Sequence, residues 1–303
     1  MAIYRAGPSD GVAWLTGGST GIGRALALDL AREGWTVAVT TREQDRLDDL
    51  VDEASGVAGK ILPFYCDVTD EAGMARTVEA IEANAGKVVL AIFNAGTYFP
   101  VHGEALSLSA FRKTYDVNLF GALHGMIPAV EAMRKRGRGQ IVLVGSVTAY
   151  FGWPSTGAYG ATKAALNLMA DSLRFDFDKM NIRLQIINPG FVDTPLAAKN
   201  SFVMPALMPV EQASARMMKA IQSGGFETTF PRRLTWGLKL LRLLPRDVVH
   251  HFLSYVTRWK GRPLMPGRSW EDDGLENLRP HMRELPDHGK LAKRARRGKK
   301  PAR

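Results

Sequence analysis

The sequence predicts an α/β protein in which a doubly wound parallel sheet, with helices on both faces, is followed by a C-terminal helical appendage. Short apolar runs alternate with amphipathic helical stretches from Gly11 to about Phe230. Such alternation is typical of parallel strands joined by right-handed helical crossovers. The strand-like runs are apolar at nearly every position, which indicates that both faces of the sheet are buried.

Six strand-like runs follow one another along this part of the chain: VAWLTG, TVAVTT, KILPFYCDV, VLAIFNAG, GQIVLVGS and RLQIINPG. Helical spacing is found in IGRALALDLAREG, which stops at Gly34, and then in REQDRLDDLVDEA and DEAGMARTVEAIEANAG. Two longer helices are predicted from about Ser109 to Lys135 and from about Gly157 to Met180. In such a fold a ligand is expected at the carboxyl ends of the strands.

The 303 residues divide into three predicted parts. Residues 1–230 form the α/β domain, and residues 231–260 form an amphipathic helical extension. Residues 261–303 form a basic tail, rich in Pro, Gly and charge, that we expect to be partly disordered. The net charge of +10 arises near the C-terminus, since 19 of the 40 Lys and Arg but 8 of the 30 acidic residues lie from Glu227 onward.

The composition is that of an ordinary globular protein, with 46% hydrophobic and 23% charged residues. A single cysteine, Cys66, excludes an intrachain disulfide framework and fits a reducing compartment. The first residues lack the apolar core of a signal peptide, and no apolar run reaches the roughly 18 residues of a membrane span. We therefore expect a cytoplasmic protein, at most peripheral to a membrane. Neither metal-ligand spacing nor a nucleic-acid recognition motif is found, so no metal and no specific nucleic acid are expected.

A glycine-rich loop, TGGSTGIG at 16–23, joins the first strand directly to a helix. Gly17 and Gly21 allow a tight turn and a close approach to a pyrophosphate, and Gly23 allows the helix to pack on the strand. The N-terminus of the helix offers free N–H groups and a partial positive charge. This strand–loop–helix context favours a dinucleotide-phosphate site over a plain turn.

Further motifs follow in a fixed order. The glycine spacing is T-G-x-x-x-G-x-G, and after it come NAG at 94–96, Asn118 in DVNLFG, Ser146 at the end of the fifth strand, Tyr159 and Lys163 in AYGATKAAL, and NPGFVDTP. From about residue 11 to residue 230 the chain therefore resembles the short-chain dehydrogenase/reductase family. The resemblance implies a Rossmann-type fold and an NAD(P)-dependent oxidoreductase. A non-catalytic NADP-sensing or scaffold protein on the same fold is the alternative from another class.

The resemblance implies a catalytic set of Asn118, Ser146, Tyr159 and Lys163. Tyr159 and Lys163 are four residues apart and share one helix face. The Lys ammonium, together with the positive nicotinamide of the oxidised complex, is expected to lower the pKa of the phenol, so that Tyr159 exchanges a proton with the substrate oxygen while the cofactor exchanges hydride. Ser146 would hydrogen-bond that oxygen, Lys163 would bind the nicotinamide ribose, and Asn118 would hold a water that relays protons.

The cofactor is expected to be NADP, with NAD less favoured. Where an acidic residue would select NAD, the second strand has Thr41 followed by Arg42, whose guanidinium can hold a 2′-phosphate. By resemblance, Asp67 contacts the adenine amino group and Val68 its ring. The full cofactor set is Gly17, Ser19, Thr20, Gly21, Ile22, Gly23, Arg42, Asp67, Val68, Asn94, Ala95, Gly96, Tyr159, Lys163, Pro189, Gly190, Val192 and Thr194.

Three loops are predicted to border the substrate, at 96–103, 147–157 and 194–209. Charge is nearly absent from them apart from Lys199, and a histidine, His102, lies in the first. Their bulky apolar side chains are Tyr98, Phe99, Phe151, Trp153, Phe202, Met204, Leu207 and Met208. Phe151 and Trp153 are predicted to contact the substrate together with Ser146 and Tyr159. Such walls favour an apolar ketone, a sterol-like compound or a lipid, and the alternative substrate is a 3-oxoacyl thioester.

The extension contains two amphipathic helices separated by Pro245. Their predicted apolar faces are Trp236, Leu240, Leu243 and Leu244 in the first, and Val248, Val249, Phe252, Val256 and Trp259 in the second. Docking of these faces on the body of the protein is favoured, and contact with a membrane is the open alternative. The resemblance implies that the extension blocks the second interface used by many family members, so that the chain forms a homodimer through the two long helices.

Overall fold

The structure is a computed structural model that describes residues 4–200, 204–223 and 225–264. Its centre is a parallel sheet of seven strands in the order β3-β2-β1-β4-β5-β6-β7, as the predicted fold class requires. The strands are β1 (Val12–Thr16), β2 (Thr36–Thr41), β3 (Lys60–Tyr65), β4 (Val88–Phe93), β5 (Gly139–Val144), β6 (Ile182–Pro189) and β7 (Glu227–Phe230). β7 is absent from the six predicted strands, because four residues with a single buried apolar side chain, Phe230, have too little apolar periodicity.

Nine α-helices cover the described parts of the chain. They are α1 (Gly21–Arg32), α2 (Gln44–Glu53), α3 (Glu71–Asn84), α4 (Leu108–Tyr115), α5 (Gly121–Arg136), α6 (Gly157–Lys179), α7 (Val210–Ser223), α8 (Arg232–Leu241) and α9 (Arg246–Val256). The single long helix predicted over 109–135 is therefore α4 and α5. A π-helical turn over Asp116–Phe120 joins them and contains the buried Asn118.

Apolar side chains fill both faces of the sheet, which explains why its central strands are apolar at most positions. One core lies against α1, α2 and α7, and the other against α3, α5 and α6. Trp14 of β1 is fully buried in the second core and donates a hydrogen bond from Nε1 to Thr40 Oγ1 at 2.8 Å. β2 and β3 are added on one side of β1, whereas β4 to β7 are added on the other side. The order of strand addition therefore reverses at β1, and this leaves a crevice at the carboxyl end of that strand.

Helices α8 and α9 dock on the body of the protein, but with a different face of α8 from the predicted one. Leu234, Leu238 and Leu241 contact a cluster that includes Phe191, whereas the predicted docking side chains of α8, including Trp236, are exposed. In α9 the predicted Val249 is buried in that cluster, but Val248 and Phe252 are exposed. The pattern is misleading because α8 is apolar on two sides. In the described residues no helix is both long and apolar enough to cross a membrane.

The end of the extension contacts the loop that follows β4. Arg262 forms an ion pair with Glu104, donates to His102 Nδ1 at 3.0 Å and lies over the Trp259 ring. The rings of Trp259 and His102 are stacked, with centroids 5.8 Å apart. His102, considered as a pocket residue, therefore holds the extension in place. Partial disorder is predicted for the tail 261–303, and residues 265–303 of that range lie outside the described residues.

Candidate active site

A cavity of about 670 Å³ opens at the carboxyl ends of β1, β2, β4, β5 and β6. It is lined by the glycine loop, the ends of those strands and the start of α6. All of the predicted cofactor-set residues line it, as does Ser146. Three predicted site residues lie outside its walls: Asn118, Phe151 and Trp153.

The glycine loop has the close packing that a phosphate cradle needs. Gly17 has a φ of +71°, and a Cβ there would lie 2.6 Å from Ala95 Cα. At Gly23 a Cβ would lie 2.1 Å from the Gly17 carbonyl oxygen. Helix α1 begins at Gly21 with no side chain capping it and no acidic residue in its first turn. Its first N–H groups therefore face the cavity without a competing anion, so the loop fits a dinucleotide phosphate.

Asn94 attaches the glycine loop to the end of β4. Its Nδ2 donates to Gly17 O at 2.9 Å and to Thr16 O at 3.2 Å. Thr16 Oγ1 in return accepts from the N–H groups of Asn94 and Ala95. Asn94, predicted to contact cofactor, therefore also fixes the shape of the loop.

Ser146, Tyr159 and Lys163 meet at the inner end of the cavity. Ser146 follows β5, and the other two lie on the first turns of α6. Tyr159 is hydrogen-bonded to Ser146 and its ring centroid lies 5.7 Å from Lys163 Nζ. Lys163 Nζ donates to Val144 O at 2.7 Å, which leaves two of its N–H groups for other partners. The three side chains are thus held together by elements that the fold itself brings to one edge.

Burial sets the pKa values of this group. It raises the pKa of the Tyr159 phenol to about 12, and the hydrogen bond with Ser146 opposes that rise only in part. Burial also lowers the pKa of Lys163 to about 8. For the described chain, burial thus outweighs the lowering of the Tyr159 pKa that is expected from Lys163. Burial penalises the phenolate, and the Lys163 ammonium is held by Val144 O.

Asn118 lies behind the cavity, in the π-helical turn. Its Oδ1 accepts from Thr97 N at 2.7 Å, and its Nδ2 donates to Thr97 O at 3.0 Å and to Thr162 Oγ1 at 3.2 Å. These bonds tie the loop after β4 to α6, the helix that bears Tyr159. A π-helical turn widens the helix locally, as is common at functional sites.

A carboxylate outside the predicted site, that of Glu43, lines the cavity beside Arg42. Ser19 Oγ donates to Glu43 Oε2 at 3.1 Å, and Glu43 also pairs with Arg46 at 2.9 Å. Arg42 lies close by, with Nη1 3.4 Å from Asp67 Oδ2. Glu43 lies two residues after Thr41, the last residue of β2, and its signal in the sequence is an acidic side chain close to that strand end. The site therefore presents both an arginine and a glutamate where NAD and NADP differ.

The substrate end of the cavity is more apolar, but its walls differ from the prediction. Tyr98 and Phe99 line it, with the Tyr98 ring centroid 5.4 Å from that of Tyr159. Phe151 and Trp153 instead pack in the cluster beneath α8 and α9, because Phe191 lies between Trp153 and the cavity. The sequence analysis missed Phe191, although it directly follows the NPG motif.

Other predicted wall residues are spread around this end. Met208 is buried in the core beneath α7, Leu207 is exposed, and Met204 packs on the cluster that contains Phe191. Phe202 lies outside the described residues. Lys199 extends over the Phe99 ring, at 5.4 Å from its centroid. The wall that faces Tyr159 is therefore built by the loop after β4 and by the NPGF segment.

A partly buried chain of polar side chains links the extension to Ser146. The Ser146 N–H donates to Asn188 Oδ1 at 2.9 Å, and Asn188 Nδ2 donates to Glu227 Oε1 at 3.0 Å. Lys239 of α8 donates to Glu227 Oε2 at 2.6 Å, and Tyr150 also donates to Glu227. Burial acts to raise the pKa of the Glu227 carboxyl, but these hydrogen bonds outweigh burial and the pKa is lowered. Glu227 therefore remains an anion that holds α8 against the segment bearing Ser146.

In the described parts of the chain, no group of three or more His, Cys, Asp and Glu side chains could hold a metal ion. The polar groups that converge on the cavity are instead the hydroxyls, the lysine and the backbone amides described above. These fit a dinucleotide and a polar reacting atom.

Comparison with known proteins agrees with this geometry. The family model for "short chain dehydrogenase" matches residues 11–202. An uncharacterized oxidoreductase from Myxococcus xanthus is 35% identical over 78% of this chain and 93% of its own length. The 3-oxoacyl-[acyl-carrier-protein] reductase FabG from Thermotoga maritima is 33% identical over 62% of this chain and 76% of its own.

Solved structures give the same result. A short-chain type dehydrogenase/reductase from Mycobacterium ulcerans superimposes with a TM-score of 0.66 at 25% identity, over 73% of this chain and 87% of that one. The fold, the motif-bearing cavity and these relatives agree. The chain is a member of the short-chain dehydrogenase/reductase family of NAD(P)-dependent oxidoreductases.

Proposed function

We propose that the protein is an NADP(H)-dependent oxidoreductase that reduces the carbonyl group of an apolar substrate, or oxidises the corresponding secondary alcohol. The observation that carries this proposal is the buried group of Ser146, Tyr159 and Lys163 at the inner end of a cavity whose other end is the glycine loop. A nicotinamide cofactor bound along that cavity would supply or accept the hydride.

In this proposal Tyr159 is the proton donor for reduction. Its raised pKa keeps the phenol protonated at neutral pH, so the proton is present when the substrate oxygen gains negative charge. Ser146, already hydrogen-bonded to Tyr159, donates to or accepts from the same oxygen and so orients it. The two free N–H groups of Lys163 bind ribose hydroxyls, and its positive charge stabilises the phenolate that forms.

Reprotonation of Tyr159 requires a route to solvent. We assign Asn118 to that route, because its side chain is hydrogen-bonded both to Thr97 and to Thr162, the residue that precedes Lys163. A Cβ on Gly96 would lie 3.5 Å from Asn118 Oδ1 and 3.8 Å from Lys163 Nζ, so both groups border the same small space. A water there would connect Lys163 to solvent.

The remaining assigned residues hold the cofactor. The glycine loop and the α1 N-terminus would bind the pyrophosphate, Asp67 and Val68 would bind the adenine, and the segment from Pro189 to Thr194 would hold the nicotinamide, since all of these residues line the cavity. Asp67 has the lowered pKa of a carboxylate that stays charged, because hydrogen bonds from Thr69 and Arg42 outweigh its burial. A permanent acceptor suits the adenine amino group.

NADP is the preferred form in this proposal. Arg42 is exposed at the cavity edge and can hold a 2′-phosphate, and the hydroxyl of Thr41 leaves room for it. Glu43 opposes this preference, since its carboxylate repels a phosphate, but Arg46 neutralises part of its charge. The balance of these two side chains sets the selectivity.

Replacing Arg42 with Gln should lower kcat/KM with NADPH by about tenfold or more, since a charge-assisted hydrogen bond contributes about 1.5–3 kcal/mol. The value with NADH should be nearly unchanged. Glu43→Gln should act in the opposite direction and raise kcat/KM with NADPH by about fivefold, because it removes one charge repulsion near the protein surface. Initial rates with both coenzymes measure these ratios.

Arg76→Gln is the matched control, because Arg76 pairs with Asp70 at 3.6 Å and its side chain is 68% exposed, against 3.4 Å and 69% for Arg42. This variant should leave kcat/KM unchanged with both NADPH and NADH. Equal losses with NADPH and NADH in Arg42→Gln would contradict a 2′-phosphate contact.

The substrate is proposed to be an apolar ketone, aldehyde, sterol-like compound or lipid. Tyr98, Phe99, Phe191 and Leu196 border the space in front of Tyr159, and these walls favour apolar groups. The second candidate is a 3-oxoacyl thioester. The FabG relative at 33% identity favours it, as does a relative named 3-oxoacyl-[acyl-carrier-protein] reductase MabA from Mycobacterium tuberculosis, at 31%.

A screen of NADPH consumption tests the proposal directly. The panel contains apolar ketones and aldehydes of increasing size beside 3-oxoacyl thioesters of matched chain length. We expect the ketones to give the higher kcat/KM. Thioesters preferred by orders of magnitude would favour the second candidate, and no turnover in the whole panel would contradict the proposed function.

We further propose a homodimer formed through α5 and α6. Ile127 of α5 and Leu168 and Phe175 of α6 are large apolar side chains that lie exposed on these helices. Exposed apolar residues grouped on neighbouring helices are typical of a protein interface. Sedimentation of the full chain as a monomer would contradict this assembly.

A further inference from the structure

Helix α8 carries two apolar faces on opposite sides. Leu234, Leu238 and Leu241 form the inner face, which packs on the body of the protein. Trp236, Leu240 and Leu243 repeat the same i, i+4, i+7 spacing about 200° around the helix axis, and all three are exposed. An ordinary surface helix is apolar on one side, so the second face calls for a second partner.

Helix α9 continues this exposed surface. Its Val249 and Leu253 are buried against the same cluster, while Val248, Phe252 and Tyr255 are exposed at i, i+4 and i+7. The turn between the helices adds Leu244. We call these seven side chains the outer surface of α8–α9: Trp236, Leu240, Leu243, Leu244, Val248, Phe252 and Tyr255. Apolar surface of this extent on a soluble protein marks an interaction site.

The charge around the outer surface is almost entirely positive. Residues 231–264 contain eight Lys and Arg and a single acidic residue, Asp247. Lys239 and Arg262 are engaged with Glu227 and Glu104. Six basic side chains are exposed: Arg232, Arg233, Arg242, Arg246, Arg258 and Lys260. A partner for this surface should therefore offer an apolar interior bordered by negative charge.

We propose that the outer surface of α8–α9 docks on an anionic lipid membrane, in the plane of the interface and without crossing it. Trp and Leu on one face with Arg and Lys beside them is the composition of interfacial helices. Anionic headgroups attract the basic side chains while Trp236, Phe252 and Tyr255 enter the headgroup region. This proposal goes beyond the reaction and does not depend on it.

Two other occupants fit less well. A second copy of the chain would bring the same basic side chains together across a two-fold axis, where they repel each other. The rest of this chain, residues 265–303, carries eleven Lys and Arg against six acidic residues, so it is basic as well. A membrane surface alone supplies negative charge over the whole area.

Docking in this way would place the cavity near the lipid. The inner faces of α8 and α9 contact Phe191, which lines the cavity. The bilayer surface would thus lie about one helix diameter, roughly 10 Å, from that wall. A substrate that partitions into membranes would then be concentrated beside the site.

Vesicle sedimentation of the full chain tests the proposal, with phosphatidylcholine vesicles that either contain or lack phosphatidylserine. We expect binding to the vesicles with phosphatidylserine. Leu240→Ser combined with Leu243→Ser should weaken it by about tenfold or more, since both side chains leave the apolar phase. Arg233→Gln and Arg246→Gln should each weaken it about fivefold, and only on vesicles with phosphatidylserine.

Leu106→Ser combined with Leu108→Ser is the matched control. These leucines are 71% and 66% exposed, against 68% and 79% for Leu240 and Leu243, and neither belongs to α8 or α9. The control should bind vesicles like the unaltered protein. All variants should keep NADPH turnover of a water-soluble ketone, which separates this test from that of the proposed function.

Three outcomes would overturn the proposal. The full chain does not sediment with vesicles of either composition, or the Leu240 and Leu243 double variant binds as well as its control. The third concerns the protein without vesicles. If the unaltered chain then sediments as a larger assembly than the Leu240 and Leu243 double variant, the occupant is a second copy of the chain.

Discussion

Replacing Tyr159 with Phe is expected to lower kcat for carbonyl reduction by roughly 10³-fold, within the 10²–10⁴ range that general acid catalysis contributes. The variant keeps the ring and loses only the hydroxyl that is bonded to Ser146. Since the ring still packs on Tyr98, the fold and the NADPH affinity should be preserved. Steady-state rates and an NADPH titration of the same preparation measure the two effects separately.

Tyr98 provides the control for this substitution. It lies in the same cavity, is deeply buried, and has a pKa that burial raises to about 12, as it does for Tyr159. Its hydroxyl contacts Ser155 Oγ at 2.8 Å instead of the group at Ser146. Tyr98→Phe should cost about 1 kcal/mol of stability and change kcat by less than about tenfold. Equal losses in the two variants would mean that the Tyr159 hydroxyl is not the proton donor, and full activity in Tyr159→Phe would favour a different reaction.

The position of the glycine loop in the fold can be predicted from the sequence alone. The glycine loop is a local feature, because a strand, a turn of fixed spacing and a helix follow one another within 16–23. Its place at the carboxyl end of β1 follows from the fold class alone. The sequence therefore predicts the sheet, its helical layers and a cavity at this edge, all of which the structure confirms.

Features that depend on distant contacts are not visible in the sequence pattern. Glu227 lies in a strand too short to be recognised, yet it connects Lys239 of α8 to Asn188 beside Ser146. The inner face of α8 was misassigned because both of its faces have helical apolar spacing. Which face docks is decided by the position of Phe191, a residue about fifty positions earlier in the chain.

The direction of the Tyr159 pKa shift has a similar origin. A Lys four residues away indicates a charge effect that lowers it, but burial depends on everything packed around α6. The cavity wall removes the phenol from water, and Val144 O takes one donor of Lys163. In the free protein desolvation is therefore the larger effect.

Replacing Gly17 with Ala is expected to lower NADPH affinity by about 100-fold, because a displacement of the loop by about 1 Å misplaces its phosphate contacts. The new Cβ would lie 2.6 Å from Ala95 Cα and 3.0 Å from Ala95 N, and these backbone atoms just after β4 cannot move aside as a flexible side chain can. Stability should fall as well, by about 1–2 kcal/mol from the left-handed conformation and about 1–3 kcal/mol from overpacking. Denaturant unfolding and a fluorescence titration with NADPH measure both losses.

Gly137→Ala separates the two causes. Gly137 has a φ of +69°, almost the +71° of Gly17, but a Cβ there meets no atom within 4 Å. Its substitution should therefore carry the conformational cost alone and leave NADPH binding intact. The difference in unfolding free energy between the two variants is then the steric cost at Ala95. If the two variants lose equal stability and both bind NADPH normally, the loop is not pressed against Ala95 and the phosphate site assigned to it is wrong.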